Sequence, residues 1–219
     1  MVTALQEISR QEPERAWAEP QDLVRRFTLE EFADFYHSLP DERMELINGE
    51  IVMSPPPDDP HINYTISVED LLNDHRPAIR ALGCSAVGSS VWYAVPAELH
   101  AKWVAAETKG PHHVCPDVSV CFTDYLASQR VPPALLVVEV ISISQRSEID
   151  RDLIRKPDIY ATLKIPAYWV VDRRDQSVWV HTAPANGVYT QRVQYKGQQK
   201  LPTPQLEFLA ITPDQIFSA

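Results

Sequence analysis

Two carboxylates and one amine stand in this sequence where apolar side chains would suit better. In LLVVEVIS, Leu135 to Ser142, seven residues fit a buried strand and Glu139 carries a charge. Period two places Leu135, Val137, Glu139 and Ile141 on one face. A lone buried carboxylate is costly, so it shifts its pKa or finds a partner. In CPDVSVCF, Asp117 follows Pro116 at the mouth of a second apolar strand, and a Pro there fixes how the chain enters. Alone, Asp117 reads as a turn or cap residue. Beside Glu139 on a neighbouring strand, it reads as half of a cation site. Mg²⁺ takes oxygen ligands at about 2.0–2.1 Å and often uses only one or two carboxylates, with water and phosphate completing the sphere. The third group is Lys156, the charged member of a helical stripe with Ile149, Leu153, Tyr160 and Leu163. From the stripe alone, a stem lying on apolar surface with its ammonium in water is the plainer reading. Pro157 adds a kink or a fresh helix start, either of which aims Lys156 at the preceding strand. A carboxylate-held metal and one ammonium suit phosphodiester hydrolysis. The metal polarises phosphate oxygens and acidifies its water, and the ammonium stabilises transition-state charge or orients the attacking water.

The flanking sequence supplies elements to hold these groups. Thr28 and Glu31 form a capping box ahead of an apolar stripe of Leu29, Phe32, Phe35 and Tyr36. Asn48-Gly49 divides the alternating run Met44–Met53 into a hairpin, with Glu45 on its first arm. Pro60 opens a helix whose stripe runs through Tyr64, Val68, Leu71, Leu72, His75, Ile79 and Leu82 to a closing Gly83. Strands are predicted at Ser89–Val95, Val118–Phe122, Leu135–Ile141, Tyr168–Val171, Ser177–His181 and Val188–Tyr195. Helices are predicted over Glu148–Leu163 and from Thr212-Pro213. His112, His113 and Cys115 lack the second ligand pair of structural zinc and read as loop residues beside Asp117.

A chain of 219 residues is long enough for one core. A single domain is expected over residues 21–219, after a flexible polar arm at 1–20. Three cysteines without a CxxC pair read as reduced thiols. No apolar h-region opens the chain, and no run nears the roughly 20 apolar residues of a membrane helix, so a cytoplasmic protein with no membrane partner is expected. The net charge of −10 argues against broad phosphate binding. That acidity is concentrated, however: residues 1–50 hold twelve acids against five bases.

The combination of ELINGEIVMSPPP, His61, PDVSV, LLVVEVIS and DLIRKPDIYATLKIPAYWVVD resembles the PD-(D/E)xK nuclease superfamily, and within it the Uma-type family of endonucleases. The likeness runs from about residue 28 to the C-terminus and is specific only in combination. It implies an α/β (α+β), restriction-endonuclease-like fold: a mixed central sheet flanked by helices, with an N-terminal helix and β-hairpin. It implies that Asp117 and Glu139 bind Mg²⁺, with Mn²⁺ as a substitute, that Lys156 is the catalytic lysine, and that Glu45 joins them. Asp152, Tyr160 and His61 match surrounding polar or aromatic positions. Three departures stand out. Ile143 follows Ser142 where a Pro is usual, the connection from Glu139 to Lys156 is a few residues longer than usual, and Lys164 replaces a usual Gly.

The sequence thus predicts a Mg²⁺-dependent endonuclease acting on DNA, working as a homodimer if both strands of a duplex are cut. The alternative is a nuclease-fold nucleic-acid-binding or protein-interaction module with little catalysis, which the acidic total favours. Hydrolysis of a small phosphoester is a weaker third reading.

Overall fold

The computed structural model describes residues 25–39, 43–101, 110–128, 131–142 and 149–218. The expected arm at 1–20 lies outside them, as does Glu148. Helix α1 (Leu29–Ser38) starts at the anticipated capping box, with Thr28 and Glu31 bonded reciprocally. The hairpin pairs β1 (Met44–Ile47) with β2 (Glu50–Met53). Asn48 and Gly49 both take positive φ, 55° and 74°, as a two-residue turn matching the strand twist requires.

The long helix predicted through residue 82 is two helices, α2 (Asp59–Asn73) and α3 (Arg76–Ala81). Pro77 has no N–H for the Asn73 carbonyl and crowds the preceding turn, so the chain breaks at Asp74-His75. The stripe still holds, with Val68, Leu72 and Ile79 buried together. Two strands escaped the sequence reading, β3 (Cys84–Gly88) and β5 (His112–Val114). The run expected from Ser89 is strand only at β4 (Tyr93–Val95), because Ser89-Ser90 turns. Short helices α4 (Ala97–Ala101) and α5 (Tyr125–Ser128) flank β6 (Val118–Phe122) and precede β7 (Ala134–Val140).

A π-helical turn (Arg151–Arg155) runs into α6 (Lys156–Thr162). Lys164 closes it with φ 57°, the left-handed conformation for which Gly is cheapest. Strands β8 (Ala167–Asp172), β9 (Ser177–Ala185) and β10 (Val188–Lys196) follow, and α7 (Pro213–Phe217) ends the fold under its Thr212 cap.

Among the described residues the strands form two sheets. One has the order β2-β1-β5-β4, and the other, mixed, has β10-β9-β8-β7-β6-β3. Only β7 and β8 run parallel in the six-stranded sheet, joined by the crossover that carries the π turn and α6. That sheet is covered on both faces, which explains the unbroken apolar runs of β7 and β8. Leu136, Val138, Trp169 and Val171 pack against α2, α3 and α7. Val137, Ile141, Tyr168 and Val170 pack against α6 and side chains of the four-stranded sheet. No helix among the described residues is long and apolar enough to cross a membrane.

Candidate active site

Asp117 and Glu139 meet because of strand register. Val118 pairs with Val138 in the antiparallel β6–β7 ladder, so Asp117, one residue earlier, falls opposite Glu139. Directly opposed residues point to one face. The Asp117 carboxylate folds back onto β7, where Oδ2 accepts from the Val140 N–H at 2.7 Å. His61 Nε2 lies 3.2 Å from Oδ1, and an Arg43 guanidinium nitrogen lies 3.6 Å from it. His61 sits in the first turn of α2, where its N–H donates to the capping carboxylate of Asp58. Its other ring nitrogen is 3.4 Å from Ser142 Oγ. Such a serine–histidine–aspartate chain has the parts of a nucleophile relay. It lacks a nucleophile elbow, and His61 here serves to hold Asp117.

Glu139 is 3 % exposed and on the α6 side of its sheet. Lys156 Nζ and the Tyr160 hydroxyl both donate to its Oε1, each at 2.7 Å. Neither donor uses Oε2. Lys156 is 2 % exposed, so its ammonium does not reach water along an apolar surface. It also lies 3.1 Å from Glu45 Oε2 and 3.5 Å from Asp152 Oδ1. The long connection from Glu139 is taken up by the π turn, which ends with the Lys156 N–H donating to the Arg151 carbonyl. Pro157 has no N–H to offer Leu153, which suits a turn wider than α at this point.

Glu45 enters from β1, and its Oε1 accepts from the Cys115 N–H at 3.0 Å. Asp152 is gripped by Arg151 at 3.1 Å, and its backbone carbonyl accepts from the Tyr168 hydroxyl. Arg151 was not singled out from the sequence. It lies in the polar run SEIDRD, and only tertiary packing brings it within 3.8 Å of Glu45 and onto Ser54 Oγ. Tyr36, Arg43 and Trp92 also line the cavity and went unnoticed as site residues. The cavity has a volume of about 180 Å³. His112 and His113, expected in a loop, lie in β5, because the imidazole of His112 accepts the Asn48 N–H and ties that strand to the hairpin turn.

The electrostatics are asymmetric. Burial pushes the Glu139 carboxyl up, against the pull of Lys156, and the nearby acids add to the rise. Burial also raises Asp152. Asp117 is equally buried, yet the His61 contact and the Val140 N–H outweigh that and hold it below the usual range. Burial opposes the charge on Lys156, but Glu139, Glu45 and Asp152 together keep its proton on. Two acids driven apart in this way are suited to different tasks.

Among the described residues, four carboxylates line the cavity against three permanent cations, Arg43, Arg151 and Lys156. One more positive charge is therefore welcome. Among the described residues no group of three or more His, Cys, Asp or Glu side chains is arranged to hold a metal ion. A hard cation with a single carboxylate pair and otherwise water or phosphate oxygens needs no such group. The donor chemistry of Asp117 and Glu139 fits that case: both are oxygen ligands, they are in register, and Glu139 Oε2 is left aside by Lys156 and Tyr160. With Asp117, Glu139, Lys156, Glu45, Asp152, Tyr160 and His61 in contact or lining one cavity, the arrangement suits phosphoryl chemistry.

A family model described as Uma2, putative restriction endonuclease, matches residues 29–213. Among solved structures, a putative nuclease of the DUF820 group from Anabaena variabilis is similar with a TM-score of 0.59 and 19 % identity. The match covers 88 % of this chain and 98 % of that one. No curated protein matches the chain.

Proposed function

The chain belongs to the Uma2 family of putative restriction endonucleases, and from that premise we propose that it is a Mg²⁺-dependent endonuclease hydrolysing DNA phosphodiester bonds. The observation that carries the reading is the cross-strand pair Asp117–Glu139 sharing a cavity with Lys156. Asp117 and Glu139 would hold the cation, which supplies polarisation of the phosphate and a more acidic water. His61 and the Val140 N–H fix the Asp117 carboxylate. Tyr160 and Lys156 fix Glu139 through one oxygen and leave the other for the cation. Lys156 provides positive charge beside the reacting phosphate, stabilising the negative charge that builds there. Glu45 and Asp152 keep that ammonium protonated and in place. Breaking both strands of a duplex takes two such sites, which a homodimer would supply.

The test is nicking of supercoiled plasmid in Mg²⁺ or Mn²⁺ by the wild type beside Glu139→Gln and Lys156→Ala. Loss of at least about a hundredfold in rate is expected in each variant, the scale typical of removing one charge-stabilising group. Nicking that persists in both would remove these residues from the chemistry. The acidic total, −10, favours a second reading, a nuclease-fold binding module with little catalysis. A wild type that neither cuts nor takes up either cation would favour it.

A further inference from the structure

Part of the cavity lining is aromatic. Trp92 and Tyr36 line it with Arg43 and Ser89, and both rings are half-buried. The indole of Trp92 lies on the imidazole of His113, with centroids 4.9 Å apart and planes 27° from parallel. Tyr36 meets Trp92 at 5.2 Å and 68°. Phe32 meets His113 edge-on at 5.4 Å. The indole is thus backed by a stack running from α1 through β5 to the segment before β4. Burial pushes the His113 imidazole below its usual range, so the backing ring is neutral at pH 7. Among the described residues neither the Trp92 N–H nor the Tyr36 hydroxyl has a hydrogen-bond partner. Tyr36 also packs on the cluster of Phe32, Met44 and Leu46.

We propose, resting on the nuclease reading, that Trp92 and Tyr36 form a stacking platform for an unpaired base. On that basis the site acts on single-stranded or locally unpaired DNA in preference to a continuous duplex. Three observations converge on this occupant. Both rings line the same cavity as the acids, and Arg43, which lines it with them, lies 3.6 Å from Asp117. Those acids and Lys156 are 1–6 % exposed and sit in a cavity of only about 180 Å³. A phosphate must therefore leave the regular surface of a helix to reach them. Finally, among the described residues lining the cavity, cations to grip a duplex backbone are scarce. Arg151 and Lys156 are buried among carboxylates, whereas the Arg43 side chain is 42 % exposed. Base–aromatic stacking needs no cation and tolerates any sequence, and each stacked base adds roughly 5- to 100-fold in affinity. Stacking uses one base at one site, so it serves a monomer and a dimer alike.

The test uses the full chain with fluorescein-labelled oligothymidine, a blunt duplex, and the same duplex carrying a short single-stranded gap. Anisotropy in Ca²⁺ reads binding, and cleavage in Mg²⁺ or Mn²⁺ reads turnover. Oligothymidine and the gapped duplex are expected to bind at least about tenfold more tightly than the blunt duplex. Trp92→Ala should weaken oligothymidine binding about 5- to 100-fold and raise KM with kcat nearly unchanged. Trp92→Phe, which keeps a ring, should recover most of the loss. A purely structural role would lower the melting temperature and kcat without that recovery. Should Trp92→Ala not fold, Trp92→Phe compared with Trp92→Leu decides the same point. Equal binding of all three substrates, or wild-type KM in the variant without the ring, overturns the platform. The two readings fail separately. Trp92-dependent binding without cleavage keeps the platform and removes the hydrolase. Cleavage of all three substrates alike, indifferent to Trp92, does the reverse.

Discussion

At the scale of single residues, the site is held by one buried ammonium among three buried carboxylates. Lys156 contacts Glu139, Glu45 and Asp152, so its removal strands three acids. Breaking a buried pair from one side costs about 3–5 kcal/mol, and Lys156→Met is expected to lose that much in urea titrations at pH 8. The loss should shrink toward pH 5, for a reason whose sign is definite. Glu139 has a folded pKa raised above its unfolded value by burial. The folded state therefore binds more protons than the unfolded one between those two values, and stability is lost as pH rises through the folded value. Without Lys156 the rise is greater and the same slope steeper. A gap between variant and wild type that stays constant from pH 5 to pH 8 would mean that the acids are not relieved by protonation. Glu139 was legible in the sequence because a charge inside an apolar run has to be explained, and Asp117 and Lys156 gained meaning only beside it. Arg151, Arg43 and Trp92 were not, because an Arg in a polar run and a Trp at a strand entrance are ordinary until a fold brings them together.

At the scale of elements, the aim of Lys156 depends on the wide turn before it. The Lys156 N–H reaches five residues back to Arg151, and Pro157 gives the next turn no donor. Pro157→Ala restores that donor and lets the π turn relax toward α, which rotates Lys156 relative to Glu139. Activity is expected to fall about tenfold or more, since a misplacement of about 1 Å can cost up to about a hundredfold. The helix itself should gain stability, because Ala is the better helix former. A variant with a higher melting temperature and full plasmid nicking would show that Lys156 is placed by its ion pairs alone. A break at Pro157 could be read from the sequence, but not that it would be a π turn, since both outcomes satisfy the same missing N–H. Elsewhere elements with a strong local signal were readable and those without one were not. The hairpin, β6 and β7 carry strong alternation or unbroken apolar runs. By contrast β3 and β5, CSAVG and HHV, are strands because β6 and β1 offer them edges, a fact about partners rather than about local pattern.

At the scale of the whole molecule, charge sets how the chain can meet a polyanion. A net of −10 repels DNA at long range, and the cations lining the cavity are mostly spent on carboxylates. The affinity of a DNA-binding protein usually falls with salt because each phosphate contact releases counterions, with a slope near −0.7 per contact for single strands. One or two contacts, Arg43 foremost, give a slope of roughly −0.7 to −1.4 here. Salt also screens the repulsion from the acidic surface, over a distance of about 10 Å at 0.1 M, and this works the other way. Oligothymidine binding in Ca²⁺ is therefore expected to weaken by less than about tenfold between 50 and 200 mM salt. A protein gripping six to ten phosphates loses about a thousandfold or more over the same range. Anisotropy titrations at four salt concentrations measure the slope directly. A shallow value means that affinity comes from contacts salt does not touch, which on this surface are the rings of Trp92 and Tyr36. A steep value would require a basic surface that the cavity does not offer, and would place the grip on DNA elsewhere on the chain or across a pair of copies.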